Sequence, residues 1–280
     1  MNLAVCGRDK SVWIWQSVGG GDWECLTVLT GHTQDVKQVK FHPSDEALFS
    51  TSYDNTLKVW TLEDEDWYNT CTLSDHQSTV WSTSFPLSAT HLVTVGDDAK
   101  IILYRDRTHP QIVKVHGSAK VSQATLDAEG TAASKVAGSA RAWKLMEIIS
   151  AAHNRAIYCT DWSPAPAFST KTEISPELSA SLDPLSKSLG LVATCGADDA
   201  ICILCPKVKS LPPEPQVEID LSQPSETAAA CVDSLEVVLR VPKAHESDVN
   251  CVHWNTKQFG VLASCGDDNV AIIWCLEPAK

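Results

Sequence analysis

Positive charge is scarce in this chain. Across 280 residues, 22 Lys and Arg stand against 35 Asp and Glu, for a net charge of −13. A phosphate-backbone ligand needs a basic surface, so nucleic acid is not expected as a partner. The acidity favours solubility and would steer a basic partner instead. Long apolar runs are missing too: nothing approaches the ~18 residues of a membrane span, and no membrane contact is expected. The start, MNLAVCGRDK, has no basic segment ahead of an apolar core, so no secretory signal is expected. The triple glycine Gly19-Gly20-Gly21 is too short, and too far from any helix, to cradle phosphate. No nucleophile elbow, HExxH or P-loop lysine motif occurs.

Cysteine, by contrast, is plentiful. There are 11, most inside strand-like segments. Without a signal peptide they read as reduced core residues of a protein of the cytosol or nucleus. Cys202 and Cys205 form the one metal-like spacing. A metal site needs a second pair or histidines, and residues three apart in a strand face opposite ways. Neither a metal nor a cofactor is therefore expected.

What organises the chain is a repeat. Gly31 to Trp60 reads as three short strands: Val36 to Phe41, Ala47 to Thr51, and a third ending at Trp60 after an Asp54-Asn55 turn. A second copy opens at Asp75-His76 and ends at Asp98 and Tyr104. Another opens at Ala244-His245 and ends at Asp268 and Trp274. A diverged copy opens at Ala152-His153, with Asp199 as its turn residue and Cys205 as its closing one. The chain begins inside one more, with Asp9 and Trp15 in these places. In all five the turn Asp lies six residues before the closing position, and Asp9 to Asp54 spans 45 residues.

Period and content resemble the WD repeat, in which each unit builds one four-stranded blade of a β-propeller. The resemblance implies an all-β fold and a hydrogen-bonded set in each blade. His32, Ser50, Asp54 and Trp60 match that set, as do His245, Ser264, Asp268 and Trp274. His76, Thr94 and Asp98 match with Tyr104 in place of Trp. These are read as scaffold, because a buried carboxylate needs donors and an imidazole with a hydroxyl supplies them.

Residues 1–280 are expected to form one domain. Three insertions, 105–142, 163–188 and 206–235, are expected as long loops. The first unit lacks its inner strand and the last its outer one. The expectation is a partial ring, about four and a half blades from the C-terminal part of a seven-blade propeller. Such an arc would be unstable alone. A closed five-blade ring, with the first segment pairing to the last, is the second arrangement.

Several stretches go beyond the generic repeat: GRDKSVWIW (7–15), GHTQDVKQV (31–39), SYDNTLKVW (52–60), HQSTVWS (76–82), HESDVNCVHWN (245–255) and LASCGDDNVAIIW (262–274). They resemble the WD-repeat subunit of the cytosolic iron–sulfur protein assembly machinery. That resemblance implies an adaptor that is not an enzyme. It implies partners: a small MIP-type subunit, a HEAT-repeat scaffold, and apo-proteins awaiting a [4Fe–4S] cluster. Binding residues are then expected on the top rim, at the residue before each turn Asp (Arg8, Tyr53, Asp97, Asp198, Asp267) and at the inner-strand starts (Asp35, Lys37, Thr79, Trp81, Ala156, Tyr158, Asp248, Asn250). Arg8, Tyr53, Trp81 and Tyr158 are the strongest anchors, since aromatics and Arg dominate interface energies. One step of register would instead turn Trp81 inward. The other adaptor class weighed is a ubiquitin-ligase substrate receptor. Its Trp-Asp-x-Arg signature is missing, since Gln16, Thr61 and Cys275 follow the closing Trp residues.

Overall fold

The computed structural model describes residues 2–43, 47–107, 143–166, 174–209 and 231–277. Five antiparallel sheets follow one another along the chain. The first holds β1 (Asn2–Cys6), β2 (Ser11–Gly19) and β3 (Asp22–Thr30). The second holds β4 (Val36–Phe41), β5 (Ala47–Ser52), β6 (Leu57–Glu63) and β7 (Asp66–Leu73). The third holds β8 (Val80–Ser84), β9 (His91–Gly96), β10 (Ile101–Asp106) and β11 (Trp143–Ile149). The fourth holds β12 (Ile157–Trp162), β13 (Val192–Gly196), β14 (Ile201–Lys207) and β15 (Ser234–Val241). The fifth holds β16 (Val249–Trp254), β17 (Val261–Gly266) and β18 (Ala271–Cys275). The chain is thus an all-β, propeller-like array of blades.

Each blade is built by the same local physics. The turn carboxylate accepts the backbone N–H two residues on: Asp9 from Ser11, Asp54 from Thr56, Asp98 from Lys100, Asp198 from Ala200 and Asp268 from Val270. The residue between them takes a positive φ, as at Asn55 (67°) and Asn269 (63°). A short polar side chain that bonds its own backbone makes such a turn cheap. Strand alternation then splits the side chains between two neighbours. In the second sheet, Leu48 and Trp60 join Val12 and Ile14 of the first, while Phe49 and Val59 join Leu92 and Ile102 of the third. Val93 and Leu103 face the fourth sheet, whose Ala193 and Ile203 face Val252 and Leu262 of the fifth. One apolar cluster therefore fills each junction.

Two expectations need correction. The 163–188 insertion is not simply a loop. Its second part forms α1 (Pro176–Ser181) and α2 (Pro184–Leu189). Ser175 and Asp183 cap them, accepting from the N–H groups of Leu178 and Ser186, and proline opens each. Leu178 packs toward the fifth sheet, and Leu185 and Leu189 toward the third. Gly190 ends α2 at φ 85°, where a Cβ would lie 2.4 Å from the Ser163 carbonyl oxygen. Secondly, the first sheet does not pair with the last: their strands belong to separate sheets. Their outward faces are open, with Leu3 47% and Ile273 66% exposed. Of the other two insertions, β10 and β14 run on to Asp106 and Lys207, and β15 begins at Ser234. Residues 108–142 and 210–230, where the remainder of those two loops was expected, lie outside the described residues.

Candidate docking rim

The scaffold set folds as the repeat demands. In the second blade Trp60 Nε1 donates to Ser50 Oγ (2.8 Å), Ser50 Oγ lies 2.7 Å from His32 Nε2, and His32 Nδ1 lies 2.8 Å from Asp54 Oδ2. One proton arrangement satisfies the whole chain: Trp to Ser, Ser to a neutral imidazole, imidazole to carboxylate. Burial, which outweighs the Asp54 charge, lowers the His32 pKa and agrees with the neutral ring. Burial works against the Asp54 charge, but Thr56, the Thr33 N–H and His32 still hold its pKa below the ordinary value. The fifth blade repeats the chain through Trp274, Ser264, His245 and Asp268. In the third, His76 bridges Thr94 and Asp98, but Tyr104 turns its hydroxyl to Asp75 (3.0 Å).

The fourth blade was expected to be degenerate, with Asp199 in the turn. Its imidazole, hydroxyl and carboxylate are in place with Asp198, while the closing aromatic is missing. His153 Nδ1 lies 2.8 Å from Asp198 Oδ1, and Nε2 lies 2.9 Å from Thr194 Oγ1. Asp199 is the positive-φ residue of the turn, and buried Leu204 takes the closing place. Asp198 is therefore scaffold, braced by Arg240 at 2.9 Å, and not a rim residue. Ala197 has the rim position, with its N–H on the Ala156 carbonyl. The same bond joins Tyr53 to Asp35, Asp97 to Thr79 and Asp267 to Asp248.

These bonds align a feature that alternation alone does not reveal. Every complete inner strand carries a register shift near its start, between Val36 and Gln38, Val80 and Ser82, Ile157 and Cys159, and Val249 and Cys251. The extra residues are Lys37, Trp81, Tyr158 and Asn250. A bulge frees one residue from the ladder and re-aims its side chain. Here it aims all four at the same end of the molecule.

Three of them make a continuous surface with Tyr53. The Tyr53 and Trp81 rings meet edge to face at 5.5 Å, and Trp81 meets Tyr158 the same way at 5.4 Å. Lys37 Nζ sits 3.8 Å from the Tyr53 ring centroid and 5.2 Å from that of Trp81. Acid flanks the row: Trp81 Nε1 donates to Asp97 (3.3 Å) and the Tyr158 hydroxyl to Asp248 (3.2 Å). Burial and the Asp248 charge both raise the Tyr158 pKa, so the phenol stays protonated. Arg155, which the sequence reading missed, pairs with Asp248 at 3.7 Å. Asn250 is exposed beside this group and bonds Asp267. Asp35 is half-buried and contributes its carbonyl to Tyr53. Arg8 is exposed in the turn of the first sheet and is not part of the stack.

Three residues further down the inner strands a second group was also missed. Asp161 accepts from the Trp254 N–H (2.9 Å), lies 2.8 Å from His253 Nδ1 and pairs with Lys40 Nζ at 3.4 Å. Burial opposes its charge, yet His253, Lys40 and the amide hold its pKa below the ordinary value. His253 is shifted up, chiefly by its bond to Asp161. The group ties inner strands of three blades together. Among the described residues, no cluster of three or more His, Cys, Asp or Glu is placed to hold a metal ion. Cys202 and Cys205 lie in different inter-blade clusters, on opposite faces of β14.

Comparison with known proteins fits this geometry. The model of the WD domain, G-beta repeat, matches residues 23–61, 67–105 and 236–275. Each match runs from the outer strand of one sheet through the first three strands of the next. The first three strands of the fourth blade, whose His–Asp separation is 45 residues against 22 in the second, lie outside these matches. The probable cytosolic iron-sulfur protein assembly protein Ciao1 of Culex quinquefasciatus is 31% identical, over 98% of this chain and 91% of its own length. The chain belongs to the Ciao1 family. A Chaetomium globosum relative, probable cytosolic iron-sulfur protein assembly protein 1, is 25% identical over 97% of this chain. The chain spans 60% of that relative's length. Human Coronin-7 is 34% identical, but over 39% of this chain and 12% of itself. The Ciao1 relatives carry the word cytosolic in their names, and no helix among the described residues is long and apolar enough to cross a membrane.

Proposed function

We propose that this chain is a non-catalytic adaptor of cytosolic iron–sulfur protein assembly. It docks other subunits of a targeting complex, a small MIP-type protein and a HEAT-repeat scaffold, and it docks apo-proteins that receive a [4Fe–4S] cluster made upstream. The cluster is cargo here, not a cofactor of the chain. The place of action is the cytosol, with nuclear clients reached as well. One observation carries the reading: four bulge-aimed or turn-borne side chains, Lys37, Tyr53, Trp81 and Tyr158, form a half-buried aromatic and cationic row across three blades. Rigid aromatics offer large contact area at low entropic cost, which suits a hot spot. The ionisable groups nearby are locked into scaffold or ion pairs, which suits binding better than proton transfer. The test is co-purification of the tagged chain from cytosol. Recovery of the MIP-type and HEAT-repeat subunits is expected, and recovery of neither contradicts the proposal.

A further inference from the structure

One residue below the rim, each inner strand reaches for the next blade. Gln38 Oε1 accepts the Thr83 N–H at 2.7 Å. Ser82 Oγ accepts the Thr160 N–H at 3.2 Å. At the third junction the corresponding residue is Cys159. Its thiol reaches the Val252 carbonyl at 3.5 Å, and its Sγ lies 3.7 Å from Sγ of Cys251 on β16. A thiol is a weak hydrogen-bonding group, so it replaces Gln or Ser poorly in this zipper. What it adds is redox chemistry. Cys251 is exposed and Cys159 half-buried behind it. That is the arrangement of a thiol that meets oxidant and a neighbour that resolves it.

We propose that Cys159 and Cys251 are a redox modification site, oxidised by hydroperoxide to a disulfide that staples the fourth blade to the fifth. The Cys251 thiolate attacks one peroxide oxygen. The O–O bond breaks, Cys251 becomes a sulfenic acid, and the departing hydroxide leaves as water after taking a proton. The Cys159 sulfur then attacks the sulfenic sulfur, the S–S bond forms, and a second water departs with the thiol proton. Two thiols and one hydrogen peroxide thus give one disulfide and two waters. The neighbouring Cys195 thiol and burial push the Cys159 thiol up to about 12, and Cys251 is shifted up through Cys159 and burial. Both are protonated at neutral pH, so the pair answers sustained oxidant, not a brief pulse. Its rate should rise about tenfold per pH unit.

The experiment treats the full 280-residue chain with hydrogen peroxide at two pH values and maps the peptides. A Cys159–Cys251 cross-link, reversed by dithiothreitol and faster at the higher pH, is expected. Cys159→Ser should leave Cys251 as a sulfenic acid that a dimedone-type probe captures, and Cys265→Ser should leave the cross-link intact. Oxidised wild-type protein should melt higher than reduced protein. Cross-linking to Cys195 or Cys265 instead would overturn the proposal, as would conversion of wild-type Cys251 to sulfinic acid without a cross-link.

Discussion

Trp81 stands edge-on to Tyr158 with ring centroids 5.4 Å apart, although β8 and β12 belong to different blades. Neither ring is placed by alternation. Each is the extra residue of a bulge, released from its own ladder. Replacing Trp81 with Ala therefore removes contact surface without opening a junction core. Partner affinity should fall about tenfold or more, with the melting temperature changed by less than about 2 °C. Equilibrium binding and a thermal melt check the two halves. Lys37→Ala should cost less than Trp81→Ala, since a cation over a half-exposed ring contributes about 0.5–1 kcal/mol.

The scaffold chain behaves differently. Ser50→Ala strands both His32 Nε2 and Trp60 Nε1 in a buried place. A loss of about 2–4 kcal/mol is expected from two unsatisfied groups. Ser78→Ala, which removes only a long, solvent-facing bond from a half-buried hydroxyl to Asp97, should stay within about 0.5 kcal/mol. Urea unfolding of the two variants side by side reads the difference.

The adjacent acids of the fourth blade offer a sharper contrast. Asp198→Asn removes the charge that His153 and Arg240 hold, and should destabilise by about 1–3 kcal/mol. Asp199→Asn keeps a residue that tolerates the left-handed region and should be near neutral. Equal effects in urea unfolding would put the turn back at Asp199.

Acid should weaken the fold in two stages. His32 and His153 have folded values lowered from 6.5 by burial, so the unfolded chain takes up protons first as pH falls. Their contribution is complete above 6.5 and is lost as pH drops through the folded values. Asp54, Asp98 and Asp198, all lowered from 3.8 despite burial, add a second loss below that value. His253 runs the opposite way. Raised by Asp161, it contributes fully below 6.5 and loses that contribution as pH rises through its folded value. Replacing His253 with Gln should therefore steepen the fall in melting temperature between about pH 7 and pH 5.

The repeat was legible because its physics is local. An Asp turn, a histidine some 22 residues upstream and a hydroxyl between them announce a blade from spacing alone. The fourth blade was misread by one residue. Two consecutive aspartates follow Ala197, and six-residue counting back from Cys205 chose the wrong one. Only the hydrogen bond to His153 separates them. The helices were marked by Ser175-Pro176 and Asp183-Pro184, but a Ser- and Pro-rich context reads more readily as loop. The rim residues were named from family pattern. That they stack follows from bulges, which are two-strand events that one strand's sequence does not encode. Arg155 and the Asp161 group depend on which blades meet, and no repeat period carries that information.

Equilibrium binding of rim and outer-strand variants tests the central claim most directly. Trp81→Ala, Tyr158→Ala and Val238→Ser, the last on exposed β15, would each be titrated with purified MIP-type subunit, HEAT-repeat scaffold and an apo iron–sulfur client. The rim variants should bind at least one of the three about tenfold more weakly, with the outer-strand variant unchanged. Rim variants that bind all three as the unaltered chain does would contradict the account.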